Sequence, residues 1–190
     1  RDSFAQKFQN VGGRILIAEA YEKGDSDFRS QLTKIKQSNP DVIFITGHAH
    51  EPSVKQAREL GIKTQIIGPV TMESSDLIEI SSVAAEGIFY SAPSFDPDAS
   101  DAIVQQYQQR YISKFGAKSQ HRAATSYDAT ILVAQGLTRC GENTACIRDY
   151  LYSVKSFPGV SGVTTFDRYG EVNKPLVIKT VKNGKFVRVE

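Results

Sequence analysis

Hydrophobic residues in the first half of the chain follow two different spacings along the sequence. Apolar residues that recur every three or four positions predict helices, and short apolar runs bounded by Gly, Pro or Asn predict strands. The run DVIFITG at 41–47 is apolar and rich in β-branched residues, which is typical of a strand buried on both faces. The predicted strands are 14–21, 41–47, 64–69 and 86–93. Three of the predicted helices are 3–12, 52–61 and 74–82. A fourth helix begins after GDSDF at 24–28 and ends before Asn39-Pro40.

This alternation of strands and helices determines the expected fold class. Short connections between alternating strands and helices favour parallel strands joined by right-handed crossovers. We therefore predict an α/β protein built on an open, doubly wound parallel sheet.

The pattern changes in the second half of the chain. Residues 101–155 show helical spacing only, as three helices with no strand between them. The tail returns to strands at 162–167, 175–181 and 185–189, and Asn183-Gly184 between the last two is a strong hairpin signal. Three helices without a sheet leave an apolar face uncovered, so we expect either a dimer through this helical region or a different packing of the helices.

Composition and charge argue against several classes of function. The chain has 190 residues and a formal net charge of +2, and its Lys and Arg residues form no block, so we expect no nucleic-acid partner. No apolar run approaches the roughly 20 residues that a membrane helix needs. The sequence has no glycine-rich phosphate loop and no G-x-S-x-G nucleophile elbow, and we therefore expect no cofactor and no catalytic residue.

The two cysteines, Cys140 and Cys146, bracket the polar turn GENTA. Two thiols this close can meet where the chain reverses, and their spacing differs from the two-residue gap of thioredoxin-like and zinc motifs. A local disulfide is the favoured interpretation, and a redox or metal pair is the alternative. A disulfide would indicate an oxidising compartment.

The segment GHAHEP contains two of the three histidines, His48 and His50, followed by Glu51. Alternate residues of an extended loop can both bind a metal ion, but further ligands must come from elsewhere. A plain loop leading into the next helix is a second interpretation. The favoured one uses position, because ligands of open α/β sheets bind beyond the carboxyl ends of the strands. We therefore expect no metal site, and we expect GHAHEP and GPVTMESSD (68–76) to face one crevice.

Several segments, taken in order, resemble one known family. They are GGRILIAEAYEKGDSDFRSQLTKIKQSNPDVIFITG, KQARELGIKTQIIGP, AAEGIFYSAPSFDPD, AATSYDA and SFPGVSGVTTFDRYGEVNKPLVIKTVKNGKFV. Their order and wording resemble the leucine/isoleucine/valine-binding family, which comprises the type I periplasmic substrate-binding components of branched-chain amino acid ABC transporters. The resemblance covers nearly the whole chain, and it corresponds to the C-terminal half of a family member.

The resemblance implies the flavodoxin-like fold of type I periplasmic binding proteins, in which two α/β lobes hold a ligand between them. Residues 1–92 and 163–190 resemble the second lobe without its first strand. Residues 93–162 resemble the helices that complete the first lobe. The sheet that those helices would cover would come from the N-terminal half of a full-length member.

The resemblance also implies which residues contact the ligand. In the amino acid binders of this family, an aromatic residue follows the glycine that ends the strand matching 41–47, and His48 holds that position. An acidic residue that pairs with the ligand ammonium follows the proline matching Pro69, where this chain has Val70. A buried ammonium without a partner costs several kcal/mol. Glu73 could replace the acid that is absent at Val70 only if the loop folds back. We therefore expect a ligand unlike leucine. The expected ligand contacts are His48, Ala49, Val70, Thr71 and Glu73.

The expected function follows from the resemblance. We expect a substrate-binding component, or a fragment of one, of an ABC transporter for amino acids or similar small polar organic molecules, with a membrane permease as partner. Such proteins close on the ligand by hinge motion and do no chemistry. One alternative is a ligand-sensing regulatory or receptor domain of the same fold, which a signalling or DNA-binding domain in the intact gene would distinguish. The other is a metal-dependent enzyme that uses His48, His50 and Glu51.

The expected location also follows from the resemblance and from the start of the sequence. The chain begins at Arg1 without an apolar leader, so we expect a processed, trimmed or truncated product whose signal peptide has been removed. We expect it in the periplasm, or outside the cell on a lipid anchor.

Overall fold

The computed structural model describes residues 2–48 and 50–189, which form two compact units. The first, here called the sheet unit, runs to Ser91 and resumes at Ile178, and the second, the helical unit, comprises Ala92–Val177. The helices are α1 (Asp2–Asn10), α2 (Arg29–Gln37), α3 (His50–Glu59), α4 (Ser75–Ser81), α5 (Ala102–Phe115), α6 (His121–Cys140) and α7 (Thr144–Ser153). The strands are β1 (Val42–Phe44), β2 (Gln65–Gly68), β3 (Phe89–Pro93), β4 (Phe157–Gly159), β5 (Gly162–Phe166), β6 (Val172–Asn173), β7 (Leu176–Lys182) and β8 (Lys185–Arg188).

The main sheet has the strand order β1-β2-β3-β7-β8. Strands β1, β2 and β3 are parallel, with Val42 opposite Gln65 and Ile67 opposite Phe89, as the alternation of strands and helices predicts. Helices α3 and α4 connect these strands and bury their apolar side chains. The fully buried side chains of this core include Val54, Ile66, Leu77, Ile88 and Tyr90.

The last two strands form the predicted hairpin. Strand β7 pairs antiparallel with β8, and Lys182 lies opposite Lys185 across the turn. Both turn residues have positive φ angles, 53° at Asn183 and 66° at Gly184, which is the backbone of a type I′ turn and the reason for the Asn-Gly preference. The hairpin signal in the sequence is therefore confirmed.

The predicted strand at 14–21 does not form. These residues have no regular secondary structure, and the apolar side chains of Ile15 and Leu16 are exposed. The reason is the lack of a pairing partner, because a strand needs a neighbour for its backbone hydrogen bonds. Within residues 2–48 and 50–189, β1 is the end of the sheet order and no strand lies beyond it.

The helical unit is organised by a core between α5, α6 and a small antiparallel sheet of β4, β5 and β6. The buried members of this core are Phe95, Val104, Tyr107, Ala124 and Val160. Residues 163–177 lie in this compact unit, because β5 pairs with β4 and the Phe166 amide donates to the Val154 carbonyl. The expected assignment of 163–190 to the second lobe of a longer protein stays a prediction.

Asp128 of α6 holds this small sheet against the helix. Its carboxylate is 2% exposed and accepts hydrogen bonds from the backbone amides of Val160 and Ser161, both at 2.8 Å, and from the Ser161 hydroxyl. The Lys174 ammonium lies 3.5 Å from the same carboxylate. A Cβ at position 159 would collide with this carboxylate, which explains Gly159. A buried carboxylate is tolerated here because donors surround it.

Exposed apolar side chains are frequent on the helices of the helical unit, as the sequence pattern predicts. They include Ile103, Ile112, Phe115, Val133 and Leu137. The dimer expected from this apolar face stays a prediction. Across the part of the chain that the structure describes, no helix is long and apolar enough to span a membrane.

The predicted disulfide forms between Cys140, the last residue of α6, and Cys146 in the first turn of α7. The two Cα atoms are 5.6 Å apart, within the ordinary range for a disulfide. The Asn143 side chain caps α7 by accepting from the Cys146 amide at 3.1 Å. The turn is therefore fixed both by the covalent bond and by the cap.

Removing the disulfide should destabilise the helical unit. For a loop this short, the loop-closure model gives a cost of about 2 kcal/mol in the free energy of unfolding of Cys140→Ser/Cys146→Ser. Urea unfolding followed by far-UV circular dichroism measures it. A reductant should lower the stability of the wild type by a similar amount and leave the variant unchanged. Equal urea midpoints for oxidised wild type and variant would contradict the prediction.

Candidate functional site

The loops that follow β1 and β2 lie side by side at the carboxyl edge of the sheet. The imidazole Nε2 of His50, in the first turn of α3, lies 2.7 Å from the hydroxyl of Thr71 in the second loop. The hydroxyl of Ser74 donates to the Glu51 carboxylate at 3.0 Å. Because both strands are parallel, their carboxyl ends share one edge, and the expected proximity of these two loops is confirmed.

The first loop is held by the hydroxyl of Tyr21, which sequence reasoning missed. This hydroxyl donates to the Thr46 carbonyl at 2.9 Å and accepts from the His48 amide at 3.0 Å. Gly47 between them has a φ of +114°, and a Cβ there would collide with the Tyr21 hydroxyl, so the tight bend requires glycine. The position of Tyr21 at the end of the predicted strand 14–21 is the sequence signal that could have indicated its role.

The two histidines of GHAHEP lie in different environments. His48 is exposed, whereas His50 is 3% exposed. Burial lowers the pKa of His50 and outweighs the neighbouring carboxylate of Glu51, which raises it. Ala49 lies outside the described residues. In the described chain, no group of three His, Cys, Asp or Glu side chains is arranged to hold a metal ion.

The second loop forms a short 3₁₀ helix, Val70–Met72, directly after Pro69. The Met72 amide donates to the Pro69 carbonyl at 3.0 Å, and the Met72 side chain is fully buried. The hydrogen bond and the burial of the Met72 side chain together fix the conformation of this turn. Val70 is therefore left half-buried and Thr71 exposed at the tip of the loop.

Glu73 ends this loop in a buried ion pair. Its carboxylate oxygens lie 3.0 and 3.1 Å from the ammonium of Lys179 on β7, and one accepts from the Tyr90 hydroxyl on β3 at 2.8 Å. Glu73 and Lys179 are each 8% exposed. Burial raises the pKa of Tyr90, and the charge of Glu73 raises it further, so the phenol stays a donor. A ligand ammonium at Glu73 would have to compete with Lys179.

The geometry of the two loops indicates a class of protein. An open α/β sheet with two interlocked loops beyond the carboxyl ends of adjacent parallel strands is an architecture that binds small ligands. The side chains that the loops present to solvent are an imidazole at His48, an isopropyl group at Val70 and a hydroxyl at Thr71. Such groups can bind and orient a small molecule.

Comparison with known proteins gives the family. The family model described as periplasmic binding protein matches residues 1–185. A leucine-, isoleucine-, valine-, threonine- and alanine-binding protein of Pseudomonas aeruginosa is 23% identical over 171 residues, which cover 86% of this chain and 44% of that protein. The chain belongs to the periplasmic binding protein family.

Solved structures agree with this assignment. A leucine-binding protein of Thermotoga maritima has a TM-score of 0.89 at 29% identity, over 100% of this chain and 55% of that one. A branched-chain amino acid transporter substrate-binding protein of Streptococcus pneumoniae, solved with isoleucine, has a TM-score of 0.83 at 28% identity, over 99% of this chain and 56% of that one. These relatives are binding proteins and not enzymes, and the chain spans about half their length.

Burial of His50 should make the stability of the sheet unit depend on pH. The folded-state pKa is lowered, whereas the unfolded chain protonates this side chain at its ordinary pKa of about 6.5. Its contribution to the free energy of unfolding is therefore complete above about pH 6.5 and is lost as the pH falls through the folded-state pKa.

Urea unfolding at a series of pH values measures this contribution. We expect His50→Gln to flatten the decline in stability on acidification below about pH 6.5, while His48→Gln, at the exposed position of the same loop, retains the wild-type profile. The prediction fails if wild type and His50→Gln lose stability equally as the pH falls.

The ion pair of Glu73 and Lys179 should show strong energetic coupling. Lys179→Met leaves the carboxylate buried without its cation, which typically costs about 3–5 kcal/mol in the free energy of unfolding. Lys179→Met/Glu73→Gln should recover part of that loss, and a double-mutant cycle by urea unfolding measures the coupling. Lys182→Met, at an exposed position of the same strand, is the control. Equal losses in the two lysine variants would argue against the ion pair.

Proposed function

We propose that this chain is part of the substrate-binding component of an ABC transporter for amino acids or similar small polar organic molecules. In this proposal the ligand binds between two lobes, and the sheet unit supplies the loops of the second lobe. The observation that carries the proposal is the joining of the two loops by His50 and Thr71 at the carboxyl edge of the sheet. Membership of the periplasmic binding protein family and the names of the relatives support it.

The proposed ligand contacts are the exposed groups of these loops. They are His48 and Thr71, with Val70 as an apolar wall, and Ala49, which lies outside the described residues. Tyr21 positions the backbone at His48 and is a positioning residue in this scheme. Glu73 contacts the ligand only if the ligand draws its carboxylate away from Lys179.

This arrangement favours ligands without an ammonium group on the lobe-two side. Val70 carries no charge, and the carboxylate of Glu73 already has a cation and a phenol as partners. Breaking a buried ion pair costs several kcal/mol, which an incoming ammonium would have to replace. An imidazole and a hydroxyl, in contrast, can donate hydrogen bonds to a carboxylate or carbonyl oxygen of the ligand.

The proposed partner is a membrane permease that receives the ligand-loaded protein, and the proposed location is the periplasm or the outer face of the cell, with or without a lipid anchor. The disulfide between Cys140 and Cys146 supports an oxidising compartment. The relatives' names support the transport role.

A titration with a matched pair of ligands tests the site. Leucine and its 2-oxo acid analogue, which replaces the ammonium-bearing carbon with a carbonyl, are added to the ¹⁵N-labelled 190-residue chain and followed by amide chemical shifts. We expect weak, millimolar binding, because half of the cleft is outside the chain, with larger shifts at His48 and Thr71 for the oxo acid. His48→Ala should reduce these shifts, and Lys55→Ala, on the exposed side of α3, should not.

Two results would contradict parts of the proposal. Micromolar leucine binding by calorimetry would contradict the preference for ligands without an ammonium group and the expectation of weak binding, although it would still agree with amino acid binding. Shifts outside the two loops, with none at His48, Val70 or Thr71, would place any binding elsewhere.

A further inference from the structure

The disulfide of the helical unit joins the carboxyl end of one helix to the amino end of the next. Cys140 is the last residue of the 20-residue helix α6, and Cys146 is the third residue of the ten-residue helix α7. The sequence contains two cysteines, so no further thiol of these 190 residues can open the bond. A thiol that exchanges with this disulfide must therefore come from another molecule.

The two sulfur atoms lie at helix ends of opposite polarity. The unpaired amides at the start of an α-helix carry a partial positive charge, and the unpaired carbonyls at its end carry a partial negative charge. A thiolate at Cys146 is therefore stabilised by the first turn of α7, whereas a thiolate at Cys140 is destabilised by the last turn of α6. The two halves of one covalent bond thus differ in how readily they leave as thiolates.

The first turn of α7 is held by contacts that do not involve the disulfide. The Asn143 side-chain oxygen accepts from the Cys146 amide at 3.1 Å, and the Asn143 carbonyl accepts from the Ile147 amide at 3.0 Å. These hydrogen bonds cap the helix whether or not the two sulfur atoms are joined. The stabilisation of a Cys146 thiolate therefore persists after the bond opens.

The disulfide is within reach of a reagent in the solvent. All five residues of the turn, 141–145, are exposed, and both cysteines are half-buried. Access is one of the conditions for thiol–disulfide exchange, together with the stability of the leaving thiolate. Both conditions are met at this turn.

We propose that Cys140 is a reversible S-thiolation site, at which a small external thiol of the glutathione class opens the disulfide. The external thiolate bonds to the Cys140 sulfur, the bond to Cys146 breaks, and its electron pair leaves on the Cys146 sulfur. The external sulfur is oxidised and the Cys146 sulfur is reduced, so the step needs no further oxidant. Attack falls on Cys140 because the better stabilised thiolate is the faster leaving group.

The same arrangement makes the modification reversible. The Cys146 thiolate stays on a capped helix that begins directly after the turn, and it can attack the Cys140 sulfur again, expel the external thiolate and restore the bond. The site lies wholly in the helical unit and includes none of the proposed ligand contacts. The inference therefore stands or falls independently of the proposed function.

Alkylation of single-cysteine variants measures the difference between the two helix ends. Cys140→Ser and Cys146→Ser each keep one thiol in the 190-residue chain, and the rate of reaction with iodoacetamide follows the fraction of thiolate. We expect the rate for Cys146 to reach half its maximum about one pH unit below that for Cys140. Far-UV circular dichroism checks that both variants keep their helices.

Glutathione on the wild-type chain locates the sulfur that is attacked and needs no variant. The oxidised chain is mixed with excess reduced glutathione at pH 8, quenched in acid and digested with trypsin, which releases both cysteines in the peptide 140–148. Fragmentation of this peptide by mass spectrometry places the glutathione. We expect at least about threefold more on Cys140 than on Cys146.

Two variants of the same exposed turn serve as a matched pair. Asn143→Ala removes the cap of α7 and should weaken the preference for Cys140, since the first turn that stabilises the Cys146 thiolate then frays. Glu142→Gln removes a charge from the turn and leaves both helix ends in place, so it should retain the preference.

Three outcomes would overturn the inference. The first is an equal pH of half-maximal alkylation for the two thiols. The second is glutathione in equal amounts on both cysteines or mainly on Cys146. The third is a wild-type disulfide that opens without any glutathione on Cys140 in the quenched samples.

Discussion

The parallel pairing of β1 with β2 is the interaction on which the candidate site depends. Hydrogen bonds such as that from Ile45 to Ile67 fix the register, and the register brings the two carboxyl ends to one edge. A parallel pair also requires a crossover, and α3 provides it with Val54 and Ala57 fully buried. Because α3 starts at His50, its burial also places that imidazole beside Thr71. The loop geometry is thus a consequence of sheet packing and needs no ligand.

The ion pair of Glu73 and Lys179 connects this edge to the end of the chain. Lys179 lies on β7, which joins the sheet beside β3, and Tyr90 of β3 donates to the same carboxylate. Two ions in the interior are tolerable because each compensates the other's lost hydration. Glu73, the possible substitute for the acid that the resemblance places at Val70, therefore already has protein partners. Under the proposed function this adds to the absence of an acid at Val70 as a reason to expect a ligand unlike leucine.

The sequence predicted those elements whose stability comes from neighbours present in the same chain. Strands at 41–47, 64–69 and 86–93 have one another to pair with, and Asn183-Gly184 carries its own turn geometry, so all four predictions hold. The strand at 14–21 has the right residues but lacks a neighbour within the described chain, which local pattern cannot reveal. Glu73 and Lys179 are 106 positions apart, and their pairing has no local signal.

Tyr21 connects the segment 14–21 to the candidate site. Its hydroxyl donates to the Thr46 carbonyl and accepts from the His48 amide, so it joins this segment to the loop that follows β1. Gly47 lies between these two groups with a φ of +114° and no side chain, which lets the hydroxyl approach the backbone closely. The backbone at His48 is therefore held by a residue 27 positions earlier in the chain, in a segment that forms no strand. Like the pairing of Glu73 with Lys179, this contact has no signal in the local sequence pattern.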